Sequence, residues 1–171
     1  MVLLKSNSFR YNNVTAGNGS DSGLTVTTTN IAAHPEQEVH MSALSIHHIG
    51  YLVKKIEKAR QTFLSLGYEV EQDIVYDDIR KVNICFLIRD GYRIELVSPV
   101  SEDSVVYGLL KKYKNSPYHI CYETTDFEAA CAELAAGGFM AIDTPTPAPA
   151  LGGRDVIFLT SASIGMIELI R

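Results

Sequence analysis

His48-Ile49-Gly50-Tyr51 and His119-Ile120-Cys121-Tyr122 stand 71 residues apart and carry one pattern. Outward from them, at the same spacing, Ile56-Glu57 falls on Phe127-Glu128, Ala59 on Ala130, and Gly67-Tyr68 on Gly138-Phe139. Near the far ends, Ile94-Glu95-Leu96-Val97 matches Ile167-Glu168-Leu169-Ile170 at a spacing of 73, which places a two-residue length difference in one connecting loop. A chain that matches itself at a fixed spacing is built from copies of one supersecondary unit.

Each copy reads as β-α-β-β-β. A short β-branched strand opens it, Ile46 to Val53 in the first half and Tyr118 to Thr124 in the second. An amphipathic helix follows, with apolar positions Ile56, Ala59, Phe63 and Leu66, then Phe127, Ala130, Cys131 and Leu134, spaced for one helical face. Thr125 or Asp126 is placed to cap the second helix, and Gly67 and Gly138 stand where helices end. Three strands close each half: Glu69 to Tyr76, Val82 to Arg89 and Tyr92 to Ser98, then Met140 to Asp143, Val156 to Thr160 and Met166 to Ile170. Asp90-Gly91 between alternating runs marks a tight hairpin. A short helix, Ser104 to Tyr113, joins the halves, and the Pro/Gly-rich run 145–153 is a loop, read equally well as a connector or as a cover over a substrate.

The repeat puts a histidine on the first strand and a glutamate on the last strand of each half. His48, Glu95, His119 and Glu168 thus occupy two matched pairs of positions. Glu95 and Glu168 both interrupt apolar runs, where an ionised carboxylate is costly unless paired or coordinated. Packed about a local two-fold axis, the four converge. Two imidazoles and two carboxylates suit a divalent ion: Ni, Co, Mn, Fe, Mg or Zn. By strand parity His47 points away from His48, and Cys121, which shares the parity of His119, is a neighbour of the site.

The bulk numbers are ordinary for a soluble globular protein. The chain has 171 residues, 46% of them apolar and 20% charged, with a net charge of −5. That balance gives no basic footprint for nucleic acid or an anionic membrane, and no apolar run approaches the ~18 residues of a membrane span. Cys85, Cys121 and Cys131 lie in apolar segments without a C-x-x-C spacing, as expected of reduced thiols in the cytoplasm.

Residues 1–44 differ from the body. The run from Ser6 to Asn30 is rich in Ser, Thr, Asn and Gly and has no sustained period, so disorder is expected, with Leu24 to Thr29 a weak candidate edge strand. Asn13-Val14-Thr15 and Asn18-Gly19-Ser20 match the glycosylation sequon by chance, His34 and His40 have no role, and Met41 is a candidate start of the functional domain.

These residues resemble the vicinal oxygen chelate superfamily, which includes glyoxalase I, methylmalonyl-CoA epimerase, extradiol dioxygenases and bleomycin-resistance proteins. The resemblance covers Ser45 to Arg171. It implies an α+β fold of paired βαβββ modules (45–100 and 117–171, linked by 101–116) cupped as an incomplete barrel around a metal. Within the superfamily, His47-His48-Ile49-Gly50-Tyr51-Leu52-Val53, Glu95-Leu96-Val97-Ser98-Pro99 and Tyr118-His119-Ile120-Cys121 are similar to the epimerase-like branch, where His-His-Ile is usual and Tyr118 replaces the first His. The epimerases carry a further Glu, proposed as a base; that place falls on Ile79, and Asp78 or Asp77 is the candidate substitute.

What this implies is proton abstraction beside a thioester carbonyl, with Glu168 and Glu95 as bases and Asp78 or Asp77 as the alternative partner. A glyoxalase I-type lyase acting on a hemithioacetal is the runner-up, and a ligand-binding module without turnover is third. A homodimer is expected, as is common in this superfamily.

Overall fold

The computed structural model describes residues 44–171, so the readings made on the tail, Leu44 aside, lie outside the described residues. Strand β1 (Ser45–Leu52) leads to helix α1 (Ile56–Ser65) and strands β2 (Glu69–Asp77), β3 (Val82–Arg89) and β4 (Tyr92–Pro99). Helix α2 (Tyr107–Tyr113) then crosses to β5 (Ser116–Glu123), α3 (Phe127–Ala136), β6 (Met140–Ala141), β7 (Thr146–Ala148), a 3-10 turn (Pro149–Leu151), β8 (Arg154–Ser161) and β9 (Gly165–Ile170). Among the described residues no helix is long and apolar enough to cross a membrane.

The strands form one open mixed sheet in the order β2-β3-β4-β1-β5-β9-β8-β6, with β7 also paired to β8. That order reads the same from either end. β1 runs parallel to β4, β5 runs parallel to β9, and the two halves meet along an antiparallel β1–β5 seam. The first and last strands of each module are therefore neighbours, which places His48 beside the strand of Glu95 and His119 beside the strand of Glu168.

Strand parity then sorts the side chains. On one face, Cys85, Leu87, Ile94 and Leu96 pack under Ile56 of α1, and Ile157, Leu159, Ile167 and Leu169 pack under Phe127, Ala130 and Leu134 of α3. On the other face lie Leu52, Val82, Ile84, Phe86 and Val97, and the four metal-compatible residues. β4 and β9 are buried on both faces over most of their length, so each interior apolar side chain there contributes about 1.5–3 kcal/mol.

Local signals behave as their chemistry dictates, with three differences. Asp126 caps α3, its carboxylate accepting from Ala129 N at 3.1 Å, and Gly67 and Gly138 take matching positive φ of 88° and 87° just past the two long helices. Leu66, expected on the buried face, instead sits beyond the last turn of α1 and is exposed. The linker helix begins at Tyr107 rather than Ser104. The length difference between the halves is shared: Phe158 follows Phe86 by 72 residues, so one residue is added before β8 and one in the β8–β9 turn.

Candidate metal centre

The four side chains meet. His48 Nε2 lies 3.4 Å from Glu95 Oε2 and 3.2 Å from Glu168 Oε2; His119 Nε2 lies 3.7 and 3.3 Å from the same two oxygens. The two Nε2 atoms are 3.2 Å apart. All four residues are at least 95% buried. Phe86 and Phe158 stand edge-on to His48 and His119, with ring centroids 5.2 and 5.3 Å apart, repeating one arrangement in each module.

The donor set fits a divalent cation. Glu168 Oε2 and His119 Nδ1 are buried without a hydrogen-bond partner, and buried polar atoms are seldom left so. Ligands about 2.0–2.2 Å from a common ion are themselves separated by about 3–3.5 Å, and four of the five separations given above fall in that range, with His119–Glu95 slightly longer at 3.7 Å.

Electrostatics describe the cluster without an ion. Burial disfavours the His48 imidazolium, but the Glu95 and Glu168 carboxylates outweigh it and raise its pKa to about 9. Burial likewise disfavours the Glu168 carboxylate, and here His119 and His48 prevail, holding it well below the usual carboxylate range. Burial, reinforced by Glu168, pushes the Cys121 thiol far up, so it is a neutral neighbour.

Two β-bulges were invisible to strand parity. In the β1–β5 pairing the register skips His47 on one strand and Tyr118 on the other, each the residue before a site histidine. A bulge re-aims the extra side chain. His47 therefore does not point away from His48: its Nδ1 lies 2.8 Å from His48 Nδ1, and its Nε2 is 2.8 Å from Arg93, which is bound in turn to Glu71 by two 2.5 Å contacts. Burial, then the charges of His48 and Arg93, lower the pKa of His47 and keep it neutral.

The cluster opens into a cavity of about 260 Å³, with Glu95 and Glu168 in its wall. Most of the lining is apolar, including Val82, Ile84, Val97 and Leu109. Asp78 is corrected as a candidate base: it projects into solvent from the β2–β3 turn and pairs with Lys81 at 2.7 Å. Ile79 is exposed as well. Asp77 does line the cavity and is fully buried, but its carboxylate is held by Arg80, through the backbone N–H at 2.9 Å and the guanidinium at 2.8 Å.

Arg80 also donates to the carbonyls of Pro147 and Thr146. The Pro-rich segment is thus an ordered cavity wall, contributing Ala148, Ala150 and Leu151. Sequence reasoning missed three polar lining residues, Arg80, Tyr118 and Asp143; one Asp143 oxygen accepts from Phe158 N at 2.8 Å. Burial, then the Glu95 and Glu168 carboxylates, push the Tyr118 phenol well above its ordinary value.

Residues 47–158 match the family described as the glyoxalase/bleomycin resistance protein/dioxygenase superfamily. The chain belongs to this superfamily. Its relatives in the superfamily include the ethylmalonyl-CoA/methylmalonyl-CoA epimerase of Cereibacter sphaeroides, 30% identical over 67% of this chain and 86% of that one. The mitochondrial methylmalonyl-CoA epimerase of Bos taurus is 26% identical over 84% of this chain and 83% of that one. Among solved members, the methylmalonyl-CoA epimerase of Mycobacterium tuberculosis shares the fold, with a TM-score of 0.64 and 23% identity over 77% of this chain and 92% of that one.

Proposed function

We propose that this chain is a metal-dependent epimerase of a branched acyl thioester of the methylmalonyl-CoA type. The observation that carries the reading is the convergence of four buried donors, two of them carboxylates in the wall of a largely apolar cavity. The relatives named as epimerases support it.

His48, Glu95, His119 and Glu168 would hold the ion. When bound, a divalent cation supplies Lewis-acid stabilisation of the charge that develops on a carbonyl oxygen, worth several kcal/mol. The residues supply the rest. Epimerisation needs a proton removed from one face of a planar carbon and returned to the other. Glu95 and Glu168 come from opposite modules and both reach the cavity wall, so they are the candidate pair of bases. The apolar lining keeps water from the exposed carbanion, and the Thr146–Leu151 wall closes that side of the cavity.

One observation favours the runner-up, a glyoxalase I-type lyase. Asp78 lies outside the cavity and Asp77 is spent on Arg80, and proton shuttling between adjacent carbons of a hemithioacetal needs no such third acid. We further infer that the chain works as a homodimer in the cytoplasm; within the described residues its three cysteines are free.

The test is incubation of the metal-loaded protein with methylmalonyl-CoA in deuterium oxide, using each of the six candidate ions. Deuterium at the branched carbon is the expected result, and its absence with every ion would remove the epimerase reading. Consumption of the methylglyoxal–glutathione hemithioacetal in a parallel assay would replace it with the lyase. Light scattering checks the dimer.

A further inference from the structure

We propose that Tyr118 is a catalytic residue whose hydroxyl donates a hydrogen bond to the substrate oxygen that gains charge as the proton leaves carbon. The inference rests on the epimerase reading and adds a chemical group that the four-donor set does not contain.

Three observations carry it. The first is the bulge. In a regular strand the neighbour of His119 would face the opposite side of the sheet, yet the β1–β5 register passes from the Gly50–His119 pair to the Tyr51–Pro117 pair and leaves Tyr118 unpaired. Tyr118 is thereby turned toward the cavity, its ring edge-on to His119 with centroids 4.4 Å apart.

The second is the company it keeps. Tyr118 shares the cavity wall with Glu95 and Glu168, and it is near enough to both carboxylates for their charges to act on its phenol.

The third is that its hydroxyl is uncommitted. Both terminal nitrogens of Arg80, the other strong donor in the wall, are engaged by Asp77, Pro147 and Thr146. Among the described residues the Tyr118 hydroxyl has no hydrogen-bond partner, and a phenol O–H is a donor as well as an acceptor. An uncommitted donor in a largely apolar cavity acts most strongly on an oxygen that becomes charged, because little screening solvent competes.

The matching bulge shows that the device is specific to one module. His47 occupies the equivalent place, but its ring is turned onto His48 and Arg93. The same backbone irregularity supports a candidate ligand in the first module and delivers a hydroxyl in the second.

The test compares wild type, Tyr118→Phe and Tyr118→His, each loaded with Co²⁺. The probe is 2-nitronate-propionyl-CoA, a planar anion named in a solved complex of the Streptomyces coelicolor methylmalonyl-CoA epimerase. Tyr118→Phe keeps the ring, so its melting temperature and Co²⁺ affinity should match wild type. Its kcat should fall about 100-fold with little change in KM, and the nitronate should bind correspondingly more weakly. Tyr118→His restores a donor and should recover part of the loss. Unchanged kcat and nitronate affinity in Tyr118→Phe, beside an active wild type, would overturn the role of Tyr118 alone. A wild type that neither turns over nor binds the nitronate would overturn the epimerase reading and this inference with it.

Discussion

Gly50 lies against the His119 imidazole so closely that a β-carbon there would overlap the ring. The two are register partners across the β1–β5 seam. Position 50 has no positive φ, so the demand for glycine is one of space. Gly50→Ala should displace His119 and weaken metal binding by at least 10-fold, the scale seen when an outer-shell contact is lost, while the circular dichroism of the fold persists. Chelator competition measures it, and undiminished affinity would show that the ring can shift at no cost.

His47 holds the far side of His48. Arg93 can only donate, so it takes His47 Nε2 as its acceptor, and the 2.8 Å contact from His47 Nδ1 orients the His48 ring through its Nδ1, with Nε2 facing the other three donors. His47→Leu leaves His48 Nδ1 buried and alone and should lower metal affinity 10- to 100-fold, the usual cost of losing such a partner. His47→Gln, which keeps a polar partner beside His48 Nδ1, should retain more. Equal affinity in all three proteins would assign His47 to packing.

The metal-free protein should lose stability as the solution becomes alkaline. The folded pKa of His48, about 9, lies above its unfolded value of 6.5. Its contribution is therefore complete below 6.5 and disappears as pH rises through 9. Urea titrations of chelator-treated protein should show a loss of roughly 3 kcal/mol between pH 6 and 10, and metal should shrink it. At pH 7 an incoming ion must expel the His48 proton, so calorimetry in buffers of different ionisation enthalpy should detect about one proton released per ion. Flat stability across that range would mean that the carboxylates do not charge His48.

Arg80 ties the β2–β3 turn of the first module to the Thr146–Pro147 backbone of the second. Arg80→Met strands the fully buried Asp77 carboxylate and should cost about 3–5 kcal/mol. Amide exchange at Ala148, Ala150 and Leu151 should accelerate. The double variant Asp77→Asn, Arg80→Met should lose less than the two single losses combined, because the stranded charge is gone. A strictly additive double variant would mean that the pair is not coupled.

The architecture was legible because a duplicated sequence states its own symmetry. The 71-residue spacing of His48 and His119 predicted which strands correspond, and period-2 alternation predicted which residues share the cavity face. That rule fails where the register slips, and it failed at His47 and Tyr118 because a bulge is set by how two strands pair and leaves no mark on either strand alone. Asp77 and Asp78 were indistinguishable in sequence. One is buried on Arg80 and the other faces solvent, which depends on the course of the β2–β3 turn. The segment 145–153 looked unstructured because its order comes from β8 and from Arg80, 66 residues away from Thr146.

The palindromic strand order also bears on how such a site arises. A lone module offers one imidazole and one carboxylate, too few to grip an ion firmly. Two copies meeting along their opening strands complete the set, and identical halves would do so as separate chains. Fusion into one polypeptide then frees the halves to diverge, as the residues ahead of the two site histidines have done. The palindromic sheet and the 71-residue sequence repeat are the traces that duplication of a self-pairing half-protein would leave.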